Sequence, residues 1–147
     1  METIKLDLEV IFAILSGRVT LAINRHLRRE FRQAEVEITP EQWTVLLYLW
    51  NKDGVTQQDL CNVTFKDKPS MTRLLDNMEK LYLVVRIPNP DDKRTNMIHL
   101  TKKGKEIKEI IRPITLAALK KAIEGLTEEE VETGERLFSI ILKNIEK

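Results

Sequence analysis

DKPSMTRLLDNMEKLYLVVRIPNPDDKRTNMIHLTKKG, residues 67–104, contains a change of period that decides the fold. In its first part Met71, Leu74, Leu75, Met78 and Leu81 recur at helical spacing and predict a helix over about Pro69–Leu81. Val84–Pro88 and Asn96–Thr101 then read as two short strands, joined by Asn89–Thr95, a polar segment rich in turn formers. A helix running straight into a hairpin with a charged tip, Asp92-Lys93-Arg94, is the pattern from which the rest is read.

Upstream and downstream, three helix starts share one design. Thr39-Pro-Glu-Gln42 offers a threonine cap, proline in the first turn and glutamine at the third position. Thr56-Gln-Gln-Asp59 and Thr127-Glu-Glu-Glu130 repeat the box with acids, which the helix dipole favours there. Ile38 with Trp43, Val55 with Leu60, and Leu126 with Val131 are placed for hydrophobic staples. Apolar residues stepping by three and four from Leu8 to Phe31 predict one long first helix, with arginines clustered towards its end. Helices are expected at about Pro40–Trp50, Gln57–Val63, Lys102–Glu124 and Glu128–Glu146, with Pro113 kinking the penultimate one. The fold class is mainly α with a small β-hairpin wing: a winged helix-turn-helix lobe plus a helical dimerisation region.

Composition bounds the function. At 147 residues, 42% hydrophobic and 32% charged, the chain suits one globular domain. Five glycines and five prolines leave little room for an all-β design. The amino terminus lacks a signal-peptide pattern, no uninterrupted apolar run approaches the roughly 20 residues that cross a bilayer, and Cys61 is alone, so a cytoplasmic protein without a membrane partner is expected. The net charge of +1 announces no nucleic acid by itself; a DNA-binding chain of this balance must concentrate its cations locally.

The second helix of a helix-turn-helix pair lies in the major groove, so one face must be apolar and the other short and polar. Ser70, Thr72, Arg73 and Asn77 fall off the apolar stripe of residues 69–81, and Arg73 has the fork that grips a guanine edge. Lys93 and Arg94 at an exposed tip suit the minor groove, whose negative potential attracts arginine, and Asp92 is placed to hold Arg94. Lys102, Lys103 and Lys105 oppose the dipole of the helix they begin. Either they face phosphates or they form a solvated charge run, and both readings stand at this point. For residues 69–81 alone, an ordinary amphipathic surface helix is the plain alternative.

Through Thr39–Trp43, Gln58–Cys61, Asp67–Asp76, Met78–Arg86, Asp92–Arg94 and Leu100–Gly104 the chain resembles the MarR (multiple-antibiotic-resistance regulator) family. The likeness spans nearly the whole chain, and the Asp-x-Arg…Leu-Thr-x-x-Gly run is its most specific part. It implies a homodimer with intertwined terminal helices and two winged lobes on a pseudo-palindromic double-stranded DNA operator. It places groove contacts at Pro69, Ser70, Thr72 and Arg73 and a wing contact at Arg94. It also implies a small aromatic or anionic effector between lobe and dimer helices, with Arg18, Arg25, Trp43 and Trp50 as the candidate pocket. Tyr82 stands where the family usually has glycine, and Pro69 where a small polar residue is common.

The whole chain thus reads as one domain, with dimerisation helices at 1–35 and 105–147 and a DNA-binding lobe at 38–104. The expected function is a ligand-modulated, sequence-specific repressor; the alternative is a winged-helix protein-interaction module that binds no DNA. An enzyme is not expected, since no phosphate loop, nucleophile elbow or acid–base pair is present. His26, His99 and Cys61 lack metal-site spacing, so neither metal nor cofactor is expected. The histidines read as surface or interface residues, and Cys61 as a buried packing residue of the third helix.

Overall fold

The computed structural model describes residues 7–146; residues 1–6 and 147, which the domain reading gives to the terminal helices, lie outside it. Ten elements follow in order: α1 (Leu8–Gln33), α2 (Pro40–Asn51), β1 (Val55–Thr56), α3 (Gln57–Thr64), α4 (Lys68–Lys80), β2 (Val84–Pro88), β3 (Asn96–Leu100), α5 (Lys102–Glu106), α6 (Lys108–Ala122) and α7 (Glu128–Ile145). The three expected capping boxes are all reciprocal: Thr39 with Gln42, Thr56 with Asp59 and Thr127 with Glu130. Each satisfies N–H groups that a helix start otherwise leaves without partners.

The hairpin has a third strand that periodicity does not announce. Val55 and Thr56 pair antiparallel with Ile98 and Met97, giving the strand order β1-β3-β2. β2 and β3 pair from Val84↔Leu100 to Pro88↔Asn96. Two residues are too few to show an alternating pattern, so only the partner strand defines β1. Leu27 and Phe31 of α1 enter one core with Leu46, Leu49, Leu60, Met71, Leu75, Met78 and Ile98 of the lobe. Cys61 is buried there too, as its sequence setting suggests. His99 is no plain surface residue: its ring lies against Gly54, where an added Cβ would sit 2.7 Å from it.

The expected helix from Lys102 to Glu124 is two helices, and they separate at Ile107 rather than at Pro113. The Gly104 carbonyl, which a continuous helix would give to the Lys108 N–H, accepts the Trp50 indole N–H at 2.8 Å. α6 runs on through Pro113, which has no N–H to give the carbonyl four residues before it. Its isoleucines divide between two roles. Ile111 is fully buried in its own chain, on the face carrying Thr115 and Ala118, whereas Ile110 and Ile123 stay exposed.

α4 ends in a Schellman motif. Leu83 N–H donates to Met78 O and Tyr82 N–H to Glu79 O, and both Leu83 and Met78 are buried. The left-handed residue at this corner is Tyr82, at φ +60°, so tyrosine adopts the conformation that glycine would take without cost. The carbonyls that follow are satisfied by residues 101–103. Lys103 Nζ donates to Leu81 O, the Thr101 hydroxyl to Tyr82 O, and the Thr101 N–H to Leu83 O. Gly104 closes over the same place: a Cβ there would lie 2.1 Å from the Leu83 oxygen.

Much apolar surface lies outside the core. α1 buries only Leu27 and Phe31, and α7 buries nothing although it is amphipathic along 18 residues. By length and composition alone α1 reaches what a membrane-crossing helix requires, with a mean hydropathy of 1.2 over one 18-residue window. Arg18 and Arg25 interrupt its apolar residues.

Two substitutions test the α4 corner by urea denaturation. Tyr82 is 74% exposed, so Tyr82→Gly is expected to raise stability by about 1 kcal/mol as the left-handed strain is relieved. Gly104→Ala is expected to lower stability by roughly 2 kcal/mol or more, because backbone rather than a side chain must move.

Candidate nucleic-acid interface

α4 begins one residue earlier than its sequence pattern indicates, at Lys68, with Asp67 as N-cap and Pro69 in the first turn. The Asp67 carboxylate accepts the Ser70 main-chain N–H at 2.8 Å. That bond, then the Ser70 hydroxyl and the charges of Arg73 and Lys66, hold the Asp67 carboxyl below its ordinary value. The anion seat at the helix start is therefore filled from within the chain, by the Asp67 carboxylate on the Ser70 N–H.

Along the outer face, Pro69, Arg73 and Asn77 are exposed and Ser70 and Thr72 half-buried. The Thr72 hydroxyl is largely committed. It donates to Lys68 O at 2.9 Å and accepts from Gln57 Nε2 at 2.7 Å, leaving a methyl group and one lone pair for a partner. Gln57, in the first turn of α3, is a residue that sequence reasoning passes over. Its only sequence signal is its position directly after the Thr56 cap.

α3, α4 and the wing enclose one cleft of about 460 Å³. Thr56, Gln57 and Gln58 line it from α3, Lys68, Thr72 and Asp76 from α4, and Arg86, Arg94, Thr95 and Asn96 from the hairpin. The tertiary structure therefore brings the wing arginine to the same concavity as Lys68, Thr72 and Asp76 of α4, whereas Arg73 is exposed outside that lining.

The wing tip is held by its own hydrogen bonds. Asn89 and Thr95 close the loop, main chain to main chain at 3.0 Å, and the Asn89 side chain bonds the Asp91 N–H. Asp92 Oδ1 accepts both the Arg94 main-chain N–H and Arg94 Nε, each at 3.1 Å. The Arg94 side chain is nonetheless 91% exposed, so Asp92 aims it without covering it, and its terminal nitrogens project outward. Lys93 beside it is also exposed.

Lys102 is exposed and lies 3.8 Å from Glu106, as a solvated pair would. Lys103 gives one of its three ammonium donors to the Leu81 carbonyl, which fixes its position at the end of α4. The residues proposed for an effector pocket are not gathered in the single chain. Trp50 gives its N–H to Gly104 O and Trp43 packs against the core, while Arg18 and Arg25 stand exposed on α1. Arg86 is the other residue that sequence reasoning passes over: a β2 arginine bonded to Asp76 and Glu79 of α4. An arginine facing two acids one helical turn apart on the preceding helix was its available signal.

The MarR family model matches residues 37–95. The chain is 30% identical over 129 residues to the multiple antibiotic resistance protein MarR of Escherichia coli, covering 86% of this chain and 90% of that one. It is 29% identical over 122 residues to the HTH-type transcriptional regulator MhqR of Bacillus subtilis, covering 83% and 82%. Among solved structures it resembles a mutant E. coli MarR complexed with operator DNA, with a TM-score of 0.82, 30% identity and coverage of 93% and 99%.

The wing tip makes a titration prediction. The Arg94 side chain, and next its main-chain N–H, hold the Asp92 carboxyl below its ordinary value of 3.8. A depressed carboxylate means that the tie is complete at neutral pH and is lost as pH falls through the folded value. In an NMR titration Asp92 is expected to protonate below 3.8, and Arg94→Gln to move it back towards that value. An unshifted Asp92 in the unsubstituted protein would contradict the arrangement.

Proposed function

Because the chain belongs to the MarR family of DNA-binding transcriptional regulators, we propose that it acts as a repressor, docking as a homodimer on a pseudo-palindromic operator with one winged lobe per half-site. The observation that carries this reading is the shared cleft, which Lys68 and Thr72 of α4 and Arg94 of the wing line together, with Arg73 exposed on the same helix. A duplex offers two such surfaces side by side, the edges of the major groove and the narrow, negative minor groove. Pro69, Arg73 and Asn77 would face the first, with Ser70 and Thr72 close behind. Arg94 and Lys93 would enter the second, and Lys102 would follow the flanking phosphates. Binding would release counterions and weaken steeply with salt.

The dimer is supported by surface that the single chain leaves uncovered. A capped helix with an apolar stripe is stable in water chiefly through what the stripe packs against, and within its own chain α7 has no fully buried residue, its Phe138 meeting Phe12 of α1 while staying half exposed. Leu137, Phe138, Leu142 and Ile145 on α7, with Leu15 and Val19 on α1, form the face that a second copy would cover. The same burial accounts for the apolar character of α1 in a protein that works in the cytoplasm on DNA. A small aromatic or anionic effector would then find its charge partners in Arg18 and Arg25 on α1, at the junction between copies.

Arg94→Ala is expected to weaken operator binding about tenfold at matched salt, the order of one arginine–DNA contact, with an unchanged thermal melt. Equal gel-shift affinity would remove the wing from the interface. In sedimentation the protein is expected to be dimeric at micromolar concentration, and Phe138→Glu to yield monomers of reduced helicity. A monomeric unsubstituted protein would rule out the dimer.

A further inference from the structure

Asp76 and Glu79 set two negative charges on the helix that must approach DNA, and Arg86 of β2 stands between them. Its Nη1 donates to Asp76 Oδ1 at 2.7 Å and to Glu79 Oε2 at 3.2 Å, and its Nη2 to the Thr72 carbonyl at 3.0 Å. Its main-chain N–H donates to the other Glu79 oxygen at 3.1 Å. One strand residue is thus bonded to three residues of α4, spread over two helical turns. Its side chain is only 17% exposed, whereas Asp76 is 51% and Glu79 37% exposed, so the guanidinium is largely covered while the carboxylates remain in contact with solvent. The guanidinium is planar and its donors are fixed in direction, so the contact specifies an orientation as well as a distance.

The wing needs such a contact. Its far end is a short two-stranded ribbon beyond the reach of β1, and a ribbon of that kind is barely stable by itself. Arg94 lies at that end, where any swing at the base is magnified. Thr72, whose carbonyl Arg86 holds, is also held at its hydroxyl by Gln57 of α3. The middle of α4 is therefore clamped between the helix before it and the strand after it.

We propose that Arg86 is a positioning residue for DNA recognition: by bonding Thr72, Asp76 and Glu79 it locks the wing to the reading helix, so that Arg73 and Arg94 meet the duplex as one preorganised unit. The same bonds offset the two carboxylates that would otherwise repel phosphate. Preorganisation strengthens binding by removing the ordering cost, and that makes the contribution of Arg94 conditional on Arg86. The inference rests on the DNA-contact reading given above.

A double-mutant cycle on the full-length protein separates positioning from bare fold stability. Arg94→Ala is measured by gel shift in three backgrounds: unsubstituted, Arg86→Lys and Asp76→Asn. Lysine keeps the charge but cannot span three acceptors, and Asp76→Asn weakens the shortest bond from the helix side without touching Arg86. Arg94→Ala is expected to cost about tenfold in the unsubstituted protein and less than about twofold in either other background, the coupling of residues that act as a unit. Thermal melts identify any variant that fails to fold, and either folded background suffices to decide. Equal fold-losses in all backgrounds, with binding by the unsubstituted protein intact, would overturn the inference alone. No loss on Arg94→Ala in the unsubstituted protein would bring down the DNA-contact reading, and this inference with it.

Discussion

Three consecutive carbonyls at the end of α4, those of Leu81, Tyr82 and Leu83, have no helical partner, and residues 101–103 supply donors to all three. A helix end leaves its last carbonyls without helical partners, and here a network of donors from the chain itself takes the place of water. Here the donors come from the far side of the hairpin, so the β2–β3 ribbon must fold back to deliver them. That requirement fixes the strand register, places Thr101 as both acceptor for the Gly104 N–H and donor to the corner, and leaves no room for a Cβ at Gly104. It also explains why a tyrosine tolerates a left-handed conformation at position 82: the structure around it determines the turn more strongly than its own preference does.

The same corner joins the lobe to the terminal helices. Trp50 reaches from α2 to the Gly104 carbonyl, and the break between α5 and α6 follows where that acceptor has been taken. α6 then runs along α1, burying Ile111, Thr115 and Ala118 inwards and leaving Ile110 and Ile123 exposed. Reading helix, hairpin and the short α5 that leads into α6 therefore meet within a few residues.

A chain of net charge +1 can present a cationic face if the acids near that face are occupied and the others lie elsewhere. Asp67 is occupied by Ser70, Asp92 by Arg94, and Asp76 with Glu79 by Arg86. Arg73, Lys93 and Arg94 project from the same lobe with their side chains exposed. The distribution of partners, which composition cannot express, is what makes a nearly neutral protein compatible with a polyanion.

Local chemistry made much of this legible beforehand. Caps at Thr39, Thr56 and Thr127, the stripe from Met71 to Leu81 and the turn at Asn89–Thr95 each depend on residues within a few positions of one another, so most of the elements could be read from the chain, whereas tyrosine at position 82 pointed to an altered helix exit and the structure keeps the left-handed corner there. What escaped depends on partners far away in sequence. β1 exists because β3 passes beside it, the break at Ile107 because Trp50 arrives 54 residues from Gly104, and Arg86 matters because β2 folds back onto α4. Asp92 and Arg94 lie two positions apart, and so the wing was visible as a motif; its meeting with α4 across one cleft was not. Sequence by itself determined the elements and the chemistry that each one carries, because short-range hydrogen bonding and periodicity are local. Only the tertiary structure decided which acids are occupied, which lysines stay free and which apolar faces remain uncovered, because those depend on where distant segments come to rest.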